Sequence, residues 1–256
     1  MTIYEEINNA IREQKSVVLC TIVETNGSVP RHEGSKMLVY TDGKTTGTVG
    51  GGEVEDRTLR EALSAFKDGK TRFLTYTLNE DEKENAGLCG GTLKIYVEPI
   101  LQAAQVVIVG AGHVGRAVAH LAKWLSFRVL VSDDRVELCD PELIPEADAF
   151  LPIAMEDIPN EINIDTHTYF VLVTRGAEVD IKGLPNLLET DAGYIGLIGS
   201  RKRWAHTRKI LVKAGISEEN IARIKTPIGL SIGAETPQEI AMSIMAEIIG
   251  WENSER

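Results

Sequence analysis

A chain of 256 residues is long enough for one large domain or two modest ones, and 43% hydrophobic with 25% charged residues is the composition of a globular protein with a sizeable core, not of a disordered chain. A formal charge of −11 excludes a general binder of nucleic acid or membrane surface, since both are anionic, so any anionic ligand has to be held by a local feature. Three cysteines, at 20, 89 and 139, are too few and too scattered for a disulfide framework, and no stretch approaches the ~20 apolar residues of a membrane span.

The segment at Met1 is amphipathic and lacks a basic leader, which gives a cytoplasmic protein as the expectation. Thr2-Ile3-Tyr4-Glu5 has the form of a capping box, and Ile3, Ile7 and Ile11 form one stripe of a short helix reaching about residue 14. Residues 16–23 are a β-branched run in which Cys20 reads as core. A loop rich in turn formers at 25–34 carries Arg31 and His32 between two strands. Residues 36–40 and 44–49 alternate as strands around the Thr41-Asp42-Gly43 turn. The second strand runs into Gly50-Gly51-Gly52, followed by Glu53 and Glu55 on a helix that continues to Phe66 and stops at Gly69.

Three successive glycines let a ligand approach the backbone, and their N–H groups can form an anion nest, while Glu53 and Glu55 can accept from a heterocycle with amine and ring N–H donors. A flexible strand end with two solvated acids accounts for the same residues. Residues 70–78 read as a strand, and an acidic loop from 79 ends in Cys89-Gly90-Gly91. A cysteine among glycines is poorly shielded, so its sulfur should be reachable, although it could equally fill a small gap in a turn. A strand over 92–97 closes the N-terminal part, and residues 98–104, with Pro99, read as a linker.

Gln105 to Gly115 reads Q-V-V-I-V-G-A-G-H-V-G. Four β-branched residues predict a strand buried on both faces, which hands over at Gly110, Gly112 and Gly115 to a helix running to Leu125. Such a turn favours a pyrophosphate, with His113 inside it. A second strand over 129–131 ends in Asp133 and Asp134, about 20 residues on, where a ribose hydroxyl would need an acid. Tight helix packing alone also explains the glycines. Cys139 falls in a polar turn with no role assigned. Strands over 169–174 and 194–198, with a helix near 184–189 between them, imply a parallel sheet covered on both faces. Residues 201–213 hold six basic residues and no acid. Arg201 and Lys202, nearest a strand end, are candidate phosphate contacts, the rest a solvated face. A glycine-rich loop leads to Glu235, and Thr236-Pro237-Gln238-Glu239 caps a last helix ending at Gly250.

The stretches G-S-V-P-R-H-E-G-S-K-M-L-V at 27–39, G-T-V-G-G-G-E-V-E at 47–55, C-G-G at 89–91, G-A-G-H-V-G at 110–115, I-G-L-I-G-S-R-K at 195–202 and P-I-G-L-S-I-G-A-E-T-P-Q-E-I-A at 227–241 together resemble the XdhC/CoxI proteins, accessory factors of molybdenum hydroxylases. The resemblance implies an α/β protein with an N-terminal α+β domain over 1–100 and a C-terminal Rossmann-like parallel sheet domain over 101–256. It implies a factor that binds the molybdenum cofactor, a pyranopterin, supports its sulfuration with a cysteine desulfurase, and delivers it to an apo hydroxylase such as xanthine dehydrogenase, an enzyme of purine catabolism. Carried over, Arg31, Gly50, Gly51, Gly52, Glu55, Cys89, Gly90 and Gly91 line the cofactor site, with Cys89 as the sulfur or metal contact. Gly110, Gly112, His113 and Gly115 then hold a phosphate or nucleotide, with Asp133, Arg201 and Glu235 as the further binding candidates read from the residues. Family members often have cysteine where this chain has Glu53, so Cys89 would act alone, and histidine where this chain has Ala177, which removes the proton-transfer group at that position. A homodimer through the apolar last helix is also expected. The alternatives are an NAD(P)-dependent oxidoreductase, with His113 as the one acid/base group near the fingerprint, and a nucleotide-sensing module without chemistry.

Overall fold

The computed structural model describes residues 2–13, 15–78 and 90–255. These form two compact units, one reaching to Gln102 and the other spanning Ala103–Glu255.

In the first unit the helix α1 (Ile3–Arg12) is closed by the Thr2–Glu5 capping box, each side chain bonding the other residue's backbone N–H. The strands β1 (Val17–Asn26), β2 (Lys36–Tyr40) and β3 (Thr45–Gly47) precede the helix α2 (Gly52–Asp68), and β4 (Arg72–Thr77) and β5 (Thr92–Ile100) follow it. The sheet is antiparallel, in the order β3-β2-β1-β5-β4. Alternation along β1 sorts its two faces. Val18, Cys20 and Ile22 pack with Val54, Ala62 and Ala65 of α2, whereas Val17 and Leu19 pack with Ala10, Ile3 and Ile7 of α1. Both helices can therefore bury an apolar stripe on the same five strands. The linker expected at 98–104 begins later, because Glu98, Pro99 and Ile100 pair with Leu19, Val18 and Val17 as the end of β5.

The second unit alternates strand and helix: β6 (Gln105–Val109), α3 (His113–Trp124), β7 (Arg128–Ser132), β8 (Ala149–Leu151), α4 (Ile158–Glu161), β9 (Thr168–Leu172), α5 (Ala177–Leu188), β10 (Tyr194–Leu197), α6 (Arg201–Lys213), α7 (Glu218–Ala222), β11 (Ile224–Lys225) and α8 (Pro237–Glu255). All six strands are parallel, in the order β11-β10-β9-β6-β7-β8. The chain thus starts in the middle of the sheet and winds outward twice, the doubly wound arrangement of a Rossmann fold. Val106 and Ile108 of β6 face α3 and α8, and Val107 and Val109 face α5 and α6. All five residues of β6 are buried, as a strand covered on both faces must be.

Two helices are longer than the sequence suggests. The helix α5 starts at Ala177 and passes through Gly183 and Pro185, residues that normally argue against helix. Gly183 is there for packing, because a Cβ at that position would lie 2.3 Å from Met155 Cγ. The helix α8 continues through Gly250 to Glu255, and Trp251 is tied down by donating its indole N–H to the Gly193 carbonyl.

Candidate functional site

In the first unit, three of the motif stretches meet at one end of the sheet. The turn between β3 and α2 runs through Gly50, Gly51 and Gly52 at φ of 134°, 77° and 56°, a succession that other residues rarely adopt. The β1–β2 loop lies against it, since a Cβ on Gly50 would come within 2.9 Å of Pro30 Cγ. The same loop lies against the start of β5, where a Cβ on Gly91 would be 2.4 Å from the Ser28 carbonyl oxygen. Gly91 accepts the Leu78 N–H at 2.9 Å. Around Gly51 and Gly52 an added Cβ would meet nothing within 4 Å, so their backbone is open to a ligand. Arg31 is exposed beside this turn and forms no ion pair among the described residues.

Glu55, a candidate acceptor for a heterocycle's N–H groups, has one carboxylate oxygen engaged within the protein. Its Oε1 accepts from the Thr48 hydroxyl and from the N–H groups of Val49 at 3.2 Å and Gly51 at 3.0 Å. The anion nest of the glycine turn is therefore filled by the protein's own carboxylate. Partial burial raises the Glu55 pKa, but the Thr48 hydroxyl and the turn's N–H groups outweigh that and hold it below the usual value. Glu53 is exposed at the helix start. Cys89, expected to contact metal or sulfur, lies outside the described residues. Cys20 is fully buried, and burial alone pushes its thiol up to about 12.

In the second unit, the fingerprint glycines have separate reasons. A Cβ on Gly110 would lie 2.5 Å from the Val173 carbonyl oxygen, and one on Gly115 would lie 2.0 Å from the Gly110 oxygen. Gly112 faces open space at the N-cap of α3, and His113 is exposed on the first turn. The acids beyond β7 are already engaged. Asp133 is 4% exposed. It accepts the Ala111 N–H at 2.9 Å and both prongs of the Arg135 guanidinium. Burial raises its pKa, and the Arg135 and Ala111 bonds more than offset this. Asp134 forms a two-pronged pair with Arg175, which is the main reason its carboxyl is held down at about 2. The ribose acceptor expected at Asp133 is thus turned inward, to brace the glycine turn.

These residues line a cleft of roughly 160 Å³ at the C-terminal ends of β6, β7 and β9, with Thr174, Glu178 and Lys182 on its far wall. It sits where successive strands depart to opposite sides of β6, the usual ligand position in open α/β sheets. Arg201 is exposed at the start of α6 and does not line it. Sequence reasoning passed over the next basic residue but one, Arg203, which reaches back to Asp180 at 2.6 Å and to the Thr174 carbonyl at 3.2 Å. Asp180 is itself fully buried. An acid in the first turns of a helix and an arginine opposite were the only available signal, hidden within a basic run. Glu235 is exposed before α8, and its N–H bonds the carboxylate of Glu239, the acid of the Thr236–Glu239 capping box. Among the described residues no group of three or more His, Cys, Asp or Glu could hold a metal ion, and no helix is long and apolar enough to cross a membrane.

A doubly wound sheet with a glycine turn at its switch point defines a Rossmann-type protein that carries an additional antiparallel unit. Comparison with known proteins narrows this. The model of the XdhC Rossmann domain matches residues 106–248, more than half of the chain, and that of the XdhC and CoxI family matches residues 10–77. The chain belongs to the XdhC and CoxI family. It is 34% identical over 255 residues to the uncharacterized protein YqeB of Escherichia coli (strain K12), matching 99% of this chain and spanning about half, 47%, of that relative. It is 24% identical to a probable xanthine dehydrogenase subunit of Bacillus subtilis (strain 168), over 93% of this chain and 94% of that one. It is 25% identical to the molybdenum cofactor insertion chaperone PaoD of Escherichia coli (strain K12), over 93% of this chain and 84% of that one. A crystal structure described as a xanthine dehydrogenase from Bacillus halodurans shares the fold, with a TM-score of 0.54, 22% identity and coverage of 100% of this chain and 97% of that one.

Proposed function

We propose that this chain is a cytoplasmic accessory factor that binds the molybdenum cofactor and delivers it to an apo hydroxylase of the xanthine dehydrogenase type, in purine catabolism. The observation that carries the reading is the meeting of the Arg31 loop, the triple-glycine turn and Gly90–Gly91 at one end of the first unit. Relatives named as a cofactor insertion chaperone and as a xanthine dehydrogenase subunit support it.

The residues present fit such a cofactor in part. The open backbone at Gly51 and Gly52 can lie against a flat ring system, and the exposed guanidinium of Arg31, which has no ion pair among the described residues, can meet an anionic group. Glu55 braces the turn and leaves ring contacts to the backbone. Cys89 would supply the soft ligand that a thiophilic metal prefers. When bound, the cofactor supplies the molybdenum centre that the hydroxylase needs. A cysteine desulfurase as sulfur donor and a homodimeric state complete the reading.

The test is to purify the protein from cells that make the cofactor and to measure bound molybdenum and pterin for wild type and Cys89→Ala. Wild type is expected to carry both, and the variant to lose most of its molybdenum. Equal, negligible content in the two would overturn the reading.

A further inference from the structure

The cleft of the second unit holds a partly exposed ion pair. Asp134, at the end of β7, and Arg175, at the end of β9, reach across the mouth of the sheet and meet in a two-pronged bridge. Their side chains are 40% and 49% exposed, so the bridge is at the entrance. An exposed pair of this kind is weakly held and opens readily. The carboxylate of Asp134 occupies the position on Arg175 that a ligand's oxyanion would take, because carboxylate and phosphate match the same guanidinium fork. Lys182, without a partner among the described residues, lines the same cleft.

Size and charge narrow the ligand. Roughly 160 Å³ is well below the ~300 Å³ at which sites for drug-sized ligands begin, so the cleft itself suits a small ligand better than a whole dinucleotide. Its ribose would also find both acids engaged, Asp133 by Ala111 and Arg135 and Asp134 by Arg175. Glu156 and Glu178, also on the lining, disfavour a ligand of many negative charges. We propose that this cleft binds a small oxyanion of the phosphomonoester class, which takes Arg175 from Asp134 and is held by Arg175 and Lys182. Asp134 is then an internal competitor that keeps the resting affinity low. This is independent of what the first unit carries.

The competition has a sign that an ordinary structural ion pair would not give. Calorimetric titration of the full chain, purified without cofactor, uses inorganic phosphate, glycerol phosphate and NADH as probes. Asp134→Asn should bind phosphate or glycerol phosphate about tenfold more tightly than wild type, and Arg175→Gln should lose most of the binding. Glu178→Gln removes one negative charge from the same lining without freeing Arg175, so it should change affinity much less than Asp134→Asn. Glycerol phosphate binding tighter than phosphate identifies a monoester as the ligand, and equal affinities identify the oxyanion group alone. The proposal is overturned if Asp134→Asn is no tighter than Glu178→Gln, if Arg175→Gln binds like wild type, or if NADH binds better than either small anion. Tryptophan emission identical to wild type confirms that each variant is folded. Because no molybdenum enters the assay, failure here leaves the cofactor measurement untouched.

Discussion

Replacing Arg203 by methionine tests how the strand ends of the second unit are held. Methionine keeps most of the apolar stem and removes the guanidinium, which bonds Asp180 through two nitrogens and Thr174 through its carbonyl and hydroxyl. The Asp180 side chain has no exposure to water, whereas that of Arg203 keeps 20%. Removing one partner of a buried pair costs about 3–5 kcal/mol, since the other charge is stranded, and the partial exposure of Arg203 places the expected value near the low end, about 3 kcal/mol. At about 2–4 °C per kcal/mol for a unit of this size, the transition should fall by roughly 6–12 °C. Tryptophan emission is the assay, because Trp124, Trp204 and Trp251 are the chain's three tryptophans and all lie within Ala103–Glu255. Urea titration gives the free energy. The double variant Asp180→Asn/Arg203→Met should recover about half of the loss, as no charge remains unpaired. A cost under about 1 kcal/mol for Arg203→Met, or a double variant worse than the single one, would refute the reasoning.

Three other expectations follow from particular atoms. Gly115→Ala places a Cβ 2.0 Å from the Gly110 oxygen, a backbone atom that cannot swing away, so the second unit should lose several kcal/mol or fail to fold, whereas Gly112→Ala, with open space around it, should be mild; equal stability of the two on urea titration would contradict this. Asp134, with its pKa lowered from 3.8 to about 2, contributes stability that is present above pH 3.8 and lost as the pH falls toward 2. Acid titration of Asp134→Asn should therefore lack part of the wild-type loss in that window, and identical acid curves would count against the ion pair. Cys20, buried and with its thiol pushed up to about 12, should resist iodoacetamide in the native protein at pH 8 and react once denaturant is added, as read by peptide mass mapping; native labelling at Cys20 would contradict its burial.

Much of the fold is legible because local and long-range signals agree. The Thr2–Glu5 and Thr236–Glu239 boxes mark helix starts where the structure has them, and the β-branched run before Gly110 becomes the fully buried β6. What the sequence hides is tertiary. Gly183 and Pro185 break the helical pattern of α5, yet the first is required by the contact with Met155. β8 and β11, of three and two residues, are strands only because a neighbour pairs with them. At the candidate sites the residue types are readable and their directions are not. Glu55 and Asp133 stand where a ligand would need acids, and each turns inward to satisfy backbone N–H groups of its own glycine turn. The same logic separates Arg203, which is engaged, from Arg201, which is exposed.

Cofactor transfer tests the central claim most directly. The protein, loaded in cells that make the cofactor, is mixed with an apo hydroxylase of the xanthine dehydrogenase type, and the two are separated for molybdenum analysis. Molybdenum leaving this chain and appearing in the hydroxylase, together with a gain of hydroxylase activity, is the predicted result. Molybdenum that stays with the chain, or an apo enzyme that gains neither metal nor activity, would contradict the account.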